Sequence, residues 1–180
     1  MRAGRVVAVA LLAIVAAGMI VLAVRALSDD GDTTGTGAEA QPTGSLAASL
    51  RAVTPATSPF EGLTQTNLSI GGKCLRTVIA DSEAERVEGL RQRSDLGPYD
   101  AMLFQFPGPT QVGFTMSTVP VALEIGFYSA DGTRTSSRHM LPCPKAEDEC
   151  PVYRADAPFE FAVETLGGKL PKGDLAGCGS

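Results

Sequence analysis

Short runs of alternating apolar and polar residues fill the second half of the chain, the period of a strand with one face in a core. The first, Leu75-Arg76-Thr77-Val78-Ile79-Ala80, predicts a strand. Asp81-Ser82 then open a helix: Ser82-Glu83-Ala84-Glu85 has the capping-box pattern, and Ala84, Val87 and Leu90 follow at helical spacing. The pattern carries this helix to about Arg93. Gly89 in its interior costs about 1 kcal/mol relative to alanine, a cost that close backbone packing would explain.

Past the turn at Gly97-Pro98, residues 101–106 predict a strand with Met102, Phe104 and Phe106 on one face. Pro107-Gly108-Pro109-Thr110 reads as a turn, with 112–116 returning as a hairpin partner. Residues 120–128 form the next strand, and Asp131-Gly132 is a hairpin signal leading into 133–140. Residues 159–164 alternate again before Gly167-Gly168. Short strands with one early helix predict a mainly β (α+β) domain, a compact antiparallel sandwich or barrel-like fold with one short N-terminal helix.

In the strand 120–128, Val121, Leu123, Ile125 and Phe127 share one face, leaving Ala122, Glu124, Gly126 and Tyr128 on the other. Small residues around one carboxylate describe a shallow concavity that could take a ligand. The structural alternative is that Glu124 pairs with Arg134, Arg138 or another arginine of a neighbouring strand, or faces water.

The N-terminal part has a different texture. Residues 6–24, VVAVALLAIVAAGMIVLAV, run for nineteen residues without a charge, close to the roughly 20 that cross a bilayer as a helix. Arg2 and Arg5 precede this run and Asp29, Asp30 and Asp32 follow it, so the positive-inside bias puts the remainder outside the cytoplasm. Residues 1–27 are therefore read as a transmembrane anchor. A cleaved signal peptide, which would leave the protein secreted, usually has an apolar core of only about 7–15 residues, and Arg25 spoils the site Val24-Arg25-Ala26. Residues 28–59 are rich in Gly, Ser, Thr, Ala and Pro and read as a flexible, disordered tether, with a helical turn suggested by Leu46, Leu50 and Val53. Residues 60–180 are then the extracytoplasmic domain.

Composition narrows the partners. The 180 residues carry a net charge of −5 at pH 7. Residues 60–178 hold 11 Lys and Arg against 16 Asp and Glu with no basic run, which excludes nucleic acid as a partner, since affinity for phosphates rests on clustered cations. The membrane is contacted only through the N-terminal helix. All four cysteines, Cys74, Cys143, Cys150 and Cys178, lie in the exported part and read as disulfides rather than zinc ligands, for which paired CxxC spacing is missing. Of three possible pairings, Cys143 with Cys150 would pin a short polar loop and Cys74 with Cys178 would join the ends of the domain. No metal and no cofactor is expected.

Four motifs stand in a fixed order: Arg86-x-x-Gly89-Leu90-x-x-Arg93, Ala101-Met102-Leu103-Phe104-x-Phe106, Met116-x-x-x-Pro120-x-x-Glu124-Ile125-x-Phe127, and Tyr153-Arg154-Ala155-Asp156-Ala157-Pro158. In this succession the chain resembles the domain of unknown function 192 family over about residues 75–175. Lys172-Gly173-Asp174 is similar to the family's closing turn. The resemblance implies a compact, mostly β domain, commonly exported, with no established reaction and no catalytic residues to carry over. The chain has Thr115 where the family typically has Trp, Ser117-Thr118 for Lys-Asn, Glu124 for Asp and Ala101 for Gly.

Candidate chemistry is sparse. His139 is the single histidine, and no Gly-x-Ser-x-Gly, HExxH or phosphate-binding glycine loop occurs. The candidate polar site comprises Glu124, Arg138, Tyr153, Arg154 and Asp156, either orienting a ligand or forming structural pairs. The leading expectation is a non-catalytic binding or interaction module with a small-molecule or protein partner. The alternative is an extracytoplasmic enzyme acting through carboxylates, such as a glycan hydrolase using Glu124 with Asp156.

Overall fold

The computed structural model describes residues 43–179. The apolar run 6–24, read as a membrane anchor, lies outside them. The elements follow in the order β1 (Thr43–Gly44), α1 (Leu46–Arg51), β2 (Thr54–Pro55), β3 (Thr64–Ile70), β4 (Lys73–Ala80), α2 (Glu83–Glu88) and β5 (Ala101–Thr110). Then come β6 (Phe114–Thr115), β7 (Leu123–Tyr128), β8 (Arg134–Met140), a 3-10 turn at Glu147–Glu149, β9 (Val152–Tyr153), β10 (Phe159–Leu166) and β11 (Leu175–Cys178). Nine strands form one sheet in the order β1-β11-β3-β4-β5-β10-β7-β8, with β2 on β3, while β6 and β9 make a separate ladder.

The fold is mainly β, as the alternation implied, but the sheet is mixed rather than antiparallel. β4 and β5 run parallel, Thr77 opposite Ala101 and Ala80 opposite Phe104. Parallel neighbours need a crossover, and residues 81–100 with α2 supply it. The end strands β1 and β8 do not pair, so no barrel closes. The coil of the sheet still brings the β7–β8 turn to β11, where the Leu175 amide donates to the Gly132 carbonyl at 2.8 Å.

Both faces of the central strands are buried, in agreement with the near-continuous apolar runs of β4 and β5. Val78, Met102, Phe104, Ile125, Phe127 and Ala162 belong to one core, closed over by α2 and the long connections. Leu75, Ile79, Leu103, Tyr128, Phe161 and Val163 belong to the other, inside the coil. Leu46 and Leu50 of α1 pack onto this second core, Ser45 caps α1 by accepting from the Ala48 amide, and β1 and β2 pair with β11 and β3. Residues 43–59, placed in the tether by composition, therefore belong to the folded unit. Backbone pairing and a few leucines suffice once a preformed surface receives them.

Two local expectations also change. Residues 107–110 continue β5 instead of turning, and 114–115 pair with β9 rather than returning on β5. Both edges of β5 are already taken, by β4 and β10. The capping box forms, with the Glu85 carboxylate accepting from the amides of Ser82 and Asp81 at 2.9 and 3.0 Å. However, α2 stops at Glu88 rather than running to Arg93, because Gly89 adopts φ +48° as its C-cap. A Cβ at Gly89 would lie 3.3 Å from the Phe104 ring, so the glycine lets the helix end close onto the sheet.

Disulfides join Cys74 of β4 to Cys178 of β11 and Cys143 to Cys150 across the 3-10 turn.

Candidate ligand pocket

The crossover that makes the sheet mixed also makes a cavity. Between α2, the segment 112–119 and the sheet lies a pocket of about 400 Å3, within the range of small-molecule sites. Leu90, Phe104, Phe106, Phe114 and Val119 supply apolar lining. Val87 and Val112, 64% and 44% exposed, extend that surface outward.

Glu83, Arg86, Glu88, Arg91 and Glu147 line the cavity from α2, the turn after α2 and the disulfide loop, and one acid lines it from the sheet. Glu164 of β10 lines the cavity while remaining only 5% exposed. It stands between Met102 of β5 and Ile125 of β7, in the centre of the sheet. Among the described residues no ion pair or hydrogen bond reaches its carboxyl, and burial alone raises its pKa from 4.5 to about 8. A carboxyl in such surroundings holds its proton at neutral pH, the arrangement by which acids are kept ready for a ligand or a reaction.

The nearby arginines are committed elsewhere. Arg86 donates to the carbonyls of Asp81 and Gln105 and lies over the Phe106 ring, 5.0 Å from its centroid. Arg91 donates to the carbonyls of Val87 and Ser117 at 3.0 and 3.2 Å and pairs with Glu147 at 2.7 Å. That last pair ties the turn after α2 to the Cys143–Cys150 loop beside the cavity.

The polar residues singled out in the sequence do not converge here. Glu124 lines a different depression with Arg134, Arg138 and His139, and accepts a hydrogen bond from the Leu170 amide at 3.1 Å. It has no arginine partner among the described residues, contrary to the structural pairing expected. Arg138 instead pairs with Asp156 at the surface, and Arg134 donates to the Pro171 carbonyl. Arg154 donates to the Gln111 carbonyl, and the Tyr153 hydroxyl accepts from the Leu141 amide at 3.1 Å. Nor is the small-residue face around Gly126 open: the Tyr128 hydroxyl lies 2.6 Å from where a Cβ of Gly126 would be, so the ring folds back over its own strand. Through the hydrogen bond from the Leu170 amide, Glu124 joins the loop after β10 to β7.

The alternation of 159–164 puts Glu160, Ala162 and Glu164 on one face of the strand, and nothing local distinguishes Glu164 from an acid facing water. In the structure β10 is a central strand between β5 and β7 whose two faces lie in the two cores, Ala162 in one and Phe161 and Val163 in the other. The sole available signal was the length of the run: 159–166 is long and apolar enough for a central strand.

Fold and pocket together define a small mainly β domain built around an acid-bearing apolar cavity. The family model of the domain of unknown function 192, described as an uncharacterized ACR, matches residues 66–176, and the chain belongs to this family. A crystallised protein of unknown function from Novosphingobium aromaticivorans is similar, at 25% identity and a TM-score of 0.57, over 69% of this chain and 93% of that one. A proposed transcription regulator from Sinorhizobium meliloti, 22% identical with a TM-score of 0.52 over 62% of this chain and 90% of that one, shares the fold. No curated protein matches the chain.

Proposed function

We propose that this chain is a non-catalytic binding module, held on the outer side of a membrane by residues 6–24, whose small-molecule ligand occupies the pocket beside α2. The observation that carries the reading is Glu164, an unpaired carboxyl in a preformed apolar cavity of about 400 Å3. Burying an acid without a partner costs stability, and such costs are retained where a ligand uses the group. The uncharged run 6–24 supports the anchor, and two disulfides support an oxidising compartment.

The test is a thermal-shift screen of the membrane-extracted full chain against small compounds with apolar bodies, since a ligand selective for the native state raises the melting temperature. Val87→Trp, at an exposed position lining the cavity, should leave the unliganded melting temperature in place and abolish the shifts. Shifts that survive this substitution, or a screen with no hits, would overturn the reading. Recovery of the chain in the soluble fraction would overturn the anchor alone.

A further inference from the structure

We propose that the ligand of this pocket is a small organic cation, an ammonium group on an apolar body, and that Glu164 receives its charge; the inference rests on the cavity being a binding site. The first support is the charge arrangement. Glu164 is buried on the sheet side, and no cationic side chain among the described residues pairs with it. The other ionisable groups lining the cavity are Glu83, Arg86, Glu88, Arg91 and Glu147, on α2, the turn after it and the disulfide loop. Arg86 is taken by two carbonyls and Arg91 by two carbonyls and Glu147. These contacts hold both guanidiniums away from Glu164, so the buried acid has no cationic partner of its own and a ligand can bring one.

The second support is the aromatic lining. Phe104 and Phe114 meet edge to face with centroids 5.2 Å apart, and Phe106 adjoins them in the cavity. Ring faces attract cations through their quadrupoles, most strongly where water is excluded. Phe106 already carries one, the Arg86 guanidinium. An anionic ligand would bring its charge against the buried acid, and a neutral alcohol would gain one hydrogen bond there but no cation attraction from the rings.

The proton balance follows. Glu164 holds its proton in the empty pocket; the ammonium enters with its own, and the carboxyl proton leaves to solvent, so an ion pair remains in the cavity. Binding therefore releases up to one proton per ligand, and affinity for the cation rises with pH until Glu164 is ionised in the free protein.

Calorimetric titration of the full chain in detergent with phenethylamine, 2-phenylethanol and 3-phenylpropanoate tests this, at pH 6 and pH 8 and in buffers of different ionisation heat. The amine should bind about tenfold or more tightly than the alcohol at pH 8, as a charge-assisted hydrogen bond provides, and the propanoate should not bind. The preference should shrink at pH 6, buffer dependence should show proton release, and Glu164→Gln should bring amine and alcohol to equal affinity. Equal binding of amine and alcohol to the wild type would overturn the cation and leave the pocket. An amine preference that persists in Glu164→Gln would overturn the role of that residue, and failure of all three probes would overturn both the cation and the pocket.

Discussion

Glu164 places an ionisable group where the fold offers it nothing, and pH should expose the consequence. Unfolded, it titrates at the ordinary value of 4.5; folded, it keeps its proton to about pH 8. Between these values the folded state binds the extra proton, so stability falls as pH rises, by at most about 1.4 kcal/mol per unit. Glu164→Gln removes the ionisation without changing shape. Its unfolding free energy, from urea denaturation, should match that of the wild type near pH 4.5 and exceed it by a few kcal/mol, as an order of magnitude, near pH 8. An advantage that does not grow with pH would mean that Glu164 is paired after all. Glu124 illustrates the opposite case: an acid that looks exceptional in sequence is bonded to the Leu170 amide and holds a loop.

At the scale of elements, the pocket depends on how α2 ends. The capping box starts the helix and Gly89 stops it, at φ +48° with the Phe104 ring 3.3 Å from the absent Cβ. Gly89→Ala should therefore cost about 1–3 kcal/mol through backbone strain at φ +48°, ψ −129°, with an added penalty if Phe104 must move. This reverses the usual gain of alanine over glycine in a helix. Thermal unfolding checks it: a melting temperature equal to or above that of the wild type would show that Gly89 is merely a weak helical residue. The start of α2 was legible because its signal is local, a Ser and a Glu three residues apart. Its end was not, since the helical spacing of Val87 and Leu90 says nothing about Phe104, fourteen residues beyond Leu90.

Across the whole molecule, β11 and β4 flank β3, and Cys74–Cys178 locks β4 to β11 over a sequence separation of 104. Cross-linking so long a loop removes about 4–5 kcal/mol of unfolded-state entropy, against about 2–3 for the short loop of Cys143–Cys150. The double substitution of Cys74 and Cys178 by Ser should thus lower the unfolding free energy by more than the same change at Cys143 and Cys150, measured in denaturant under oxidising conditions. An equal or smaller loss would show that the unfolded chain is already compact between these ends. By itself the sequence determined what local chemistry determines: the strands around 75–80, 101–106, 120–128 (123–128 in the structure) and 159–164, the Asp131-Gly132 hairpin, the capped start of α2 and the ordered motifs of the family. Only the tertiary structure decided that β4 and β5 run parallel, that 43–59 joins the sheet, and that Glu164 rather than Glu124 sits unpaired in a cavity. Alternation shows that a strand has two faces, but whether either face meets water depends on which strands flank it, and that is settled by contacts between residues far apart in the chain.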